Sequence, residues 1–305
     1  MTSYFQKNHF SSKILICDNI DSICSDIFLK RGHQIVEKSG LKKEELLSCI
    51  HEYDGLVVRS ATKVTKDVIN AGVNLKIIGR AGTGVDNIDC QYATNKGILV
   101  VNTPGGNTVS TAELAVSHIL ALARNIPQAT ASLKEGRWDR ALYTGTELSG
   151  KVLGVIGMGR IGREVAQRCQ GFGMMTIGYD PLLSESASRK CDVEPVSLED
   201  LFARSDFITI HTPLTKETKY IFDKVNLAKC KKGVRIINCA RGGIIQEDDL
   251  LEAIKSGQVG GASLDTLEVE PPVDASLELR SHPNVIMTPH LGASTIDAQV
   301  SCLIL

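Results

Sequence analysis

Short apolar runs alternate with amphipathic segments in the first third of the chain. The apolar runs predict strands at 13–18, 34–37, 55–58, 75–78 and 98–101. The segments at 21–30 and 42–53 repeat apolar residues with helical spacing, and Leu46, Leu47 and Ile50 share the inner face of the second. Strands that alternate with helices are typical of a parallel sheet with crossover helices. The pattern therefore predicts a small α/β domain that is complete by about residue 105.

A long apolar helix, predicted at 108–126, leads into a second α/β pattern. Its alanines and leucines lie on nearly all sides, which indicates burial or a subunit interface, and Ser110 or Thr111 is the predicted N-cap. Strands follow at 152–156, 176–179, 207–210, 234–239, 260–264 and 284–287. Helices are predicted at 197–203, with Asp200 completing a cap, and at 225–230, 247–255 and from 294 onward. This second domain is predicted to span 106–290.

The first strand of the second domain ends in a glycine-rich turn. Gly157, Gly159 and Gly162 separate the apolar run 152–156 from a helix, and the next strand ends at Asp180. In a dinucleotide fingerprint the first glycine allows a tight turn, the second lets the backbone approach a pyrophosphate, and the third lets helix and strand pack closely. An acid at the position of Asp180 hydrogen-bonds a ribose and repels a 2′-phosphate. The pattern predicts NAD rather than NADP, against the alternative of a merely structural glycine turn.

Composition narrows the class of protein. The 305 residues are 43% hydrophobic, carry a net charge of −1 and contain no basic stripe, so neither nucleic acid nor a membrane surface is a predicted partner. The first dozen residues contain no signal-peptide core. The nine cysteines are scattered without a Cys-x-x-Cys pair, which favours reduced thiols in a cytoplasmic protein and no metal site.

Three side chains after predicted strands of the second domain are candidates for chemistry. Arg241 precedes two glycines and could grip a carboxylate with its guanidinium fork. His290 could exchange a proton near neutral pH, and Glu270 could accept the imidazole Nδ1 proton. Each has a plain alternative when taken alone: a surface arginine, a packing histidine and an exposed loop acid. Only the combination of the three favours catalysis.

The motifs that carry these side chains resemble one enzyme family. Asn-Cys-Ala-Arg-Gly-Gly at 238–243, Glu-Pro-Pro at 270–272, Pro-His-Leu-Gly-Ala at 289–293 and the glycine turn at 157–162 resemble the D-isomer-specific 2-hydroxyacid dehydrogenases. The resemblance is narrowed to the phosphoglycerate dehydrogenase branch by the stretches 57–62, 79–87, 102–104 and 146–150. It covers nearly the whole chain, from about residue 13 to residue 299.

The resemblance implies an α/β fold of two Rossmann-like domains with parallel doubly wound sheets and an active-site cleft between them. Residues 1–105 plus 291–305 would form a flavodoxin-like substrate-binding domain, and 106–290 the NAD-binding domain. The implied activity is NAD-dependent oxidation of 3-phospho-D-glycerate to 3-phosphohydroxypyruvate, the first step of phosphorylated serine biosynthesis. The implied assembly is a homodimer or homotetramer with the long helix at the contact. Many members carry a regulatory domain beyond the position of Leu305, where this chain ends inside a predicted helix.

Site residues follow from the same motifs. Arg241, Glu270 and His290 match the catalytic arginine, glutamate and histidine. The positions that match cofactor contacts are Thr83, Gly157, Gly159, Arg160, Ile161, Gly162, Asp180, Thr212, Cys239, Ala240, Asp265, Gly292 and Ala293. The predicted substrate contacts are Arg59, Ser60, Arg80, Asn102, Gly105, Gly106 and, from a neighbouring subunit, Arg140. Gly105 stands where this branch often has an asparagine.

Three alternative functions remain open at this stage. A hydroxypyruvate or glyoxylate reductase and a D-lactate dehydrogenase would use the same catalytic residues. An NAD-sensing protein of the corepressor kind would keep them on the same fold. Arg59 and Arg80 together favour a phosphorylated acid because the rigid guanidinium fork suits phosphate.

Overall fold

The computed structural model describes residues 11–272 and 277–304. The chain divides into two compact units. The first runs to Asn107 and includes the residues from Thr295 onward, and the second is Thr108–Ser294. In the part of the chain described, no helix has the length and apolar character that crossing a membrane requires.

The first unit is built on a five-stranded parallel sheet. Its strands are β1 Lys13–Ile16, β2 Gln34–Glu37, β3 Gly55–Val58, β4 Ile77–Arg80 and β5 Leu99–Asn102. They lie in the order β2-β1-β3-β4-β5, which is the flavodoxin-like order of a doubly wound sheet. The helices between them are α1 Ile23–Lys30, α2 Lys43–Cys49, α3 Lys66–Ala71 and α4 Cys90–Asn95.

All five strands of this sheet appear where apolar runs predict them, with ends shifted by up to two residues. The predicted helix 42–53 is wrong in its second half, since α2 ends at Cys49 and a 3₁₀ turn, Ile50–Glu52, follows. Helices α3 and α4 are missing from the sequence analysis because each has only six residues, too few to repeat a helical pattern. The carboxylate of Asp89 caps α4 by accepting the backbone N–H of Tyr92 at 3.0 Å.

The second unit contains a seven-stranded parallel sheet. Its strands are β6 Val152–Ile156, β7 Met175–Tyr179, β8 Glu194–Pro195, β9 Phe207–Ile210, β10 Val234–Asn238, β11 Val259–Leu264 and β12 Val285–Met287. The spatial order β8-β7-β6-β9-β10-β11-β12 is the Rossmann order extended by one strand. The chain adds β7 and β8 on one side of β6, and then adds β9, β10, β11 and β12 on the other side. The strand order therefore reverses between β6 and β9. The two sheet orders confirm the predicted α/β class with parallel, doubly wound sheets.

The helices of the second unit cover this sheet. They are α5 Thr108–Arg124, α6 Ile126–Lys134, α7 Arg160–Gln170, α8 Glu185–Arg189, α9 Leu198–Arg204, α10 Lys224–Lys229, α11 Glu247–Lys255 and α12 Leu277–Ser281. The predicted cap of α9 is confirmed: Ser197 Oγ accepts the Asp200 N–H at 3.1 Å and donates to the Asp200 carboxylate at 2.8 Å. The last helix, α13 Ile296–Ile304, belongs to the first unit and lies against α1.

The prediction for α5 needs two corrections. The helix begins at Thr108, so Ser110 and Thr111 lie buried inside its first turns and do not cap it. It ends at Arg124 rather than at 126, because Asn125 adopts a left-handed backbone with φ +52° and a proline then opens α6. A buried face built from alanine, valine, isoleucine and leucine anchors α5 within the core of the second unit.

Candidate active site

The glycine turn after β6 contains three glycines in three different environments. A Cβ on Gly157, where φ is +89°, would lie 2.7 Å from the carbonyl oxygen of His211. A Cβ on Gly162 would lie 2.1 Å from the carbonyl oxygen of Gly157, so the helix packs directly on the turn. A Cβ on Gly159 would meet nothing within 4 Å. These are a tight turn, an open approach and a close helix contact, the three roles in a dinucleotide fingerprint.

Helix α7 starts at this open position. Arg160 and Ile161 form its first turn, where backbone N–H groups have no partner within the helix and favour an anion. Asp180 follows the adjacent strand β7 and is half-buried. Its two carboxylate oxygens accept the N–H groups of Met158 and Leu182, each at 2.9 Å. The acid is therefore fixed beside the turn, at the carboxyl edge where α/β sheets bind ligands.

Two buried polar atoms follow β9 on the other side of the glycine turn. Within the described residues, the Oγ1 of Thr212 and the Nδ1 of His211 are buried without a hydrogen-bond partner. The other ring nitrogen of His211 lies 2.8 Å from the hydroxyl of Thr209, and burial lowers the pKa of the ring to about 3, so it is neutral. A buried polar atom without a partner is costly, and a bound polar ligand removes that cost. The open Gly159, the helix start and these atoms fit a dinucleotide.

The turn after β10 presents the candidate arginine. The side chain of Asn238 holds this turn by accepting the N–H of Ala240 at 3.0 Å and donating to the carbonyl of Arg241 at 2.8 Å. One guanidinium nitrogen of Arg241 donates to the Ala240 carbonyl at 2.7 Å. The thiol of Cys239 is buried, and burial, reinforced by the charge of Asp265, raises its pKa far above the ordinary value. A cofactor would therefore meet a neutral thiol at this position.

Asp265 directly follows β11 and is 1% exposed. Its carboxylate accepts the hydroxyl of Thr288 at 2.5 Å and the N–H groups of Leu291 at 2.7 Å and Gly292 at 2.9 Å. Sequence analysis predicts Asp265 as a cofactor contact, and that prediction is untested. The structure gives its carboxylate a clear local role, since it ties down both residues that follow His290.

The candidate histidine and glutamate are in direct contact. His290 Nδ1 lies 2.8 Å from one carboxylate oxygen of Glu270, whose other oxygen accepts the Leu267 N–H at 3.0 Å. The contact with Glu270 raises the pKa of His290, although burial opposes it. Burial alone would raise the pKa of Glu270, but the contact with His290, the Leu267 N–H and the nearby charge of Arg241 hold it below its usual value. The charge of Arg241 lowers the pKa of both Glu270 and His290, as it would for a guanidinium on the same side of the sheet edge.

His290 also has an unusual backbone. Its φ is +54°, in the left-handed region that few residues other than glycine adopt. Such a conformation persists where the surroundings enforce it, and it is frequent at active sites. Gly292 and Ala293, both predicted cofactor contacts, continue this loop, and the carbonyl of Gly292 accepts the hydroxyl of Thr111 at 2.9 Å.

In the first unit, three predicted substrate residues meet at one edge of the sheet. Arg80 ends β4, where it pairs in register with Val58 of β3 and with Asn102 of β5. Arg59 directly follows Val58, so Arg59, Arg80 and Asn102 stand at the carboxyl ends of three neighbouring strands. Ser60 follows Arg59 and is exposed. We call the positions of Arg59 and Arg80, at the ends of these neighbouring strands, the basic patch.

The remaining predicted residues are divided between the units. Thr83 is the one predicted cofactor residue in the first unit, and its hydroxyl donates to Asn107 Oδ1 at 2.7 Å. Gly105 has φ +108°. A Cβ on Gly106 would lie 2.6 Å from the sulfur of Cys302, so α13 packs against this loop. Arg140 is exposed at the start of a 3₁₀ turn, Arg140–Tyr143, in the second unit.

Sequence analysis misses several residues that build the site. The motifs predict Asn238 only as a neighbour of the catalytic arginine, and no pattern in the sequence predicts a role for His118, His211 or Thr288. The signal for Asn238 and Thr288 is their position at the end of a strand beside a candidate residue. His118 gives no such signal, because it lies in the middle of α5, far along the chain from the loop that it approaches. Among the residues described, no three His, Cys, Asp or Glu side chains form a group that could hold a metal ion.

Comparison with known proteins agrees with this geometry. Residues 116–292, more than half of the chain, match the family model for the D-isomer specific 2-hydroxyacid dehydrogenase, NAD binding domain. The D-3-phosphoglycerate dehydrogenase of Homo sapiens is 55% identical over 290 residues, covering 95% of this chain and 54% of that protein. The enzyme of the same name from Bacillus subtilis is 54% identical over 268 residues, covering 88% of this chain and 50% of that protein. The chain thus spans about half the length of these relatives.

A solved structure extends the comparison to the fold. The D-lactate dehydrogenase of Aquifex aeolicus, solved with NAD and lactic acid, matches with a TM-score of 0.85 at 26% identity, covering 96% of this chain and 92% of that one. The family match, the similarity to phosphoglycerate dehydrogenases and the dinucleotide site converge. The chain belongs to the D-isomer-specific 2-hydroxyacid dehydrogenase family, and its second unit contains that family's NAD-binding domain.

Proposed function

We propose that this chain oxidises 3-phospho-D-glycerate to 3-phosphohydroxypyruvate with NAD. The observation that carries the proposal is the 2.8 Å contact of His290 with Glu270, in a loop fastened to a buried aspartate. The names of the curated relatives support the choice of substrate.

His290 is the proposed base. Its Nδ1 faces Glu270, which leaves Nε2 to take the proton of the substrate hydroxyl. As the O–H bond breaks, its electron pair forms the carbonyl, and the hydride leaves the same carbon. Bound NAD supplies the acceptor for that hydride. The carboxylate of Glu270 stabilises the imidazolium. His290 therefore stays protonated until it releases the proton to solvent or returns it to the substrate in the reverse reaction.

Arg241 is the proposed clamp for the substrate carboxylate. A guanidinium group holds a carboxylate with two parallel hydrogen bonds and fixes its orientation. The turn that carries Arg241 is itself held by Asn238, which limits the positions open to the side chain. Orientation of this kind supplies a large share of catalysis because the reacting atoms are already aligned.

The basic patch of the first unit is the proposed phosphate site. Arg59 and Arg80 would bind the phosphoryl group, with Ser60, Asn102 and the loop at 102–106 completing the substrate contacts. The first unit would then serve as the substrate-binding domain. Asp180 beside the glycine turn favours NAD over NADP, because its charge would repel a 2′-phosphate.

The proposed assembly is a homodimer or homotetramer in the cytoplasm, with no nucleic-acid or membrane partner. Trp138 and Leu142, in and beside the 3₁₀ turn of the second unit, are 75% and 74% exposed. Large apolar side chains exposed close together in sequence favour contact with another subunit. Arg140 lies between them, which supports its proposed role in the active site of a neighbouring copy.

A substrate panel read through NADH absorbance tests the proposal. We expect turnover with 3-phosphoglycerate to exceed turnover with glyoxylate, hydroxypyruvate and D-lactate, each assayed in its own direction. Faster reaction with an unphosphorylated acid would instead favour a reductase or lactate dehydrogenase. NAD binding without turnover of any acid would favour an NAD sensor. Arg59→Ala should weaken the phosphorylated substrate selectively, and equal loss for both kinds of acid would contradict phosphate recognition.

A further inference from the structure

Three buried polar side chains and the half-buried Thr288 form a continuous hydrogen-bonded chain inside the second unit, which we call the His118 relay. Ser263 Oγ lies 2.7 Å from His118 Nδ1, and His118 Nε2 lies 3.3 Å from Thr288 Oγ1. The same Thr288 oxygen lies 2.5 Å from the carboxylate of Asp265. His118, Ser263 and Asp265 are 3%, 0% and 1% exposed. The relay connects the middle of α5 to the ends of β11 and β12.

The hydrogen bonds of the relay start from the carboxylate of Asp265. The hydroxyl of Thr288 donates to this carboxylate. The Thr288 oxygen then accepts a hydrogen bond from His118 Nε2–H, and in a neutral ring Nδ1 accepts one from the hydroxyl of Ser263. A neutral ring fits its surroundings, because burial lowers the pKa of His118 although the charge of Asp265 opposes the change. In the neutral ring, only the Nε2–H tautomer satisfies both hydrogen-bond neighbours of His118.

The far end of the relay is the loop of His290. Asp265 accepts the N–H groups of Leu291 and Gly292, the two residues that follow His290. Helix α5 also contacts this loop through a second hydrogen bond, in which the hydroxyl of Thr111 donates to the carbonyl of Gly292. Thr111 and His118 are seven residues apart, which puts them on one face of the helix. The left-handed backbone of His290 needs such restraint, since a histidine does not favour it.

We propose that His118 is a positioning residue for His290, acting through Thr288 and Asp265 as a neutral Nε2–H donor. The proposal rests on the proposed function in one respect, the role of His290 as the acid–base group. A purely structural role would require only that His118 fill its space. The two hypotheses differ in whether the N–H donor or the volume matters.

Two substitutions of His118 distinguish the effect of its N–H donor from the effect of its side-chain volume. His118→Gln can place an amide N–H near the position of Nε2, whereas His118→Leu fills the space and offers no donor. Leu122→Ala is the matched control, because Leu122 is buried on the same helix and its side chain has no group that forms hydrogen bonds. The control loses stability without changing the hydrogen bonds to Thr288.

The pH profile of kcat/KM for NAD-dependent oxidation of 3-phosphoglycerate is the first measurement. We expect His118→Leu to lower kcat/KM by about tenfold, the scale set by one lost buried hydrogen bond and the partner left unpaired. The acid limb should also move to lower pH. His290 faces Glu270 and Asp265, which raise its pKa, and Arg241, which lowers it. A loosened loop weakens the two acidic influences. His118→Gln should stay near the wild type, and Leu122→Ala should lower Tm without moving the limb.

NMR titration of the imidazole groups gives a measurement that needs no turnover. His118 should be the neutral Nε2–H tautomer through the neutral pH range, and the pKa of His290 should fall in His118→Leu but not in Leu122→Ala. A charged or Nδ1–H His118, or a His290 titration unchanged by His118→Leu, overturns the proposal. Absence of turnover in the wild type with these NMR results intact would refute the proposed function and leave the relay standing.

Discussion

Two glycines of the same turn should respond in opposite ways to one added methyl group. Gly159→Ala introduces a Cβ that meets nothing within 4 Å, at a backbone φ of −68° that alanine adopts readily. Gly162→Ala introduces a Cβ 2.1 Å from the carbonyl oxygen of Gly157, whereas real Cβ contacts essentially never fall below 3.0 Å. The first change therefore leaves the fold intact and fills the predicted ligand space. The second forces the helix away from the turn.

The magnitudes follow from the two environments. For Gly159→Ala, alanine is a poorer N-cap than glycine by roughly 0.5–1 kcal/mol, and the stiffer unfolded chain returns about 0.4–1 kcal/mol, so the free energy of unfolding should change by less than about 1 kcal/mol. For Gly162→Ala, alanine gains about 1 kcal/mol of helix propensity. The backbone must shift by about 1 Å, and overpacking of a tight contact costs roughly 1–3 kcal/mol or more. The net result should be a destabilised protein.

The assay measures unfolding by urea without cofactor and NAD affinity by calorimetry. We expect Gly159→Ala to unfold like the wild type and to bind NAD at least about tenfold more weakly, a loss of roughly 1.4 kcal/mol. Gly171→Ala, at the other end of α7 with φ −61°, is the control for a glycine replaced away from the turn. Unchanged NAD binding in Gly159→Ala would refute the assignment of the open space to the dinucleotide. A Gly162→Ala protein as stable as Gly159→Ala would refute the steric argument.

Three further predictions concern protonation and buried polar atoms. Glu270→Gln removes the main influence that raises the pKa of His290, so the acid limb of the pH profile of kcat/KM for oxidation should move to lower pH. Glu268→Gln replaces a neighbouring exposed acid and should leave this limb in place. A shift to higher pH in Glu270→Gln would contradict the predicted sign. Thr212→Val removes a buried hydroxyl that has no partner among the described residues. The free energy of unfolding without NAD should therefore stay the same or rise by about 1 kcal/mol, while NAD binds more weakly. A lower free energy of unfolding would contradict this prediction. The thiol of Cys239 should resist iodoacetamide at neutral pH because burial raises its pKa, whereas the half-buried Cys49 and Cys90 should react sooner. Mass spectrometry measures the labelling of each cysteine, and rapid labelling of Cys239 would contradict the prediction.

The sequence predicts those parts of this fold that repeat a local pattern. Apolar runs locate the strands of both sheets except the two-residue β8, because buried parallel strands are continuous apolar segments. The parallel pairing follows from alternation with helices. The short helices α3, α4, α8 and α12 are not predicted, since five or six residues are less than two turns and their apolar spacing is not distinctive. The nine-residue α6 is not predicted either. The end of α5 is mispredicted because Asn125 adopts a left-handed backbone that asparagine allows but does not require.

The candidate site divides in the same way. Arg241, Glu270 and His290 are recognisable because each follows a strand in a motif, and parallel strands end at one edge of a sheet. The partners that hold them in place are not recognisable. Asp265 and Thr288 depend on the packing of β11 beside β12, and their pairing with His118 joins residues 170 positions apart. Such contacts follow from the complete three-dimensional arrangement and have no local signature.

The left-handed backbone of His290 gives these hidden partners a physical purpose. A residue with a Cβ does not enter this region without cost, so the loop alone would relax and carry the imidazole away from Glu270. Hydrogen bonds from Leu291 and Gly292 to one buried carboxylate oppose that relaxation. A buried carboxylate needs hydrogen-bond donors around it, and the hydroxyl of Thr288 supplies a third one. The position of the proposed base is thus set by the buried core beneath it, and a change in α5 should reach the chemistry without touching a substrate.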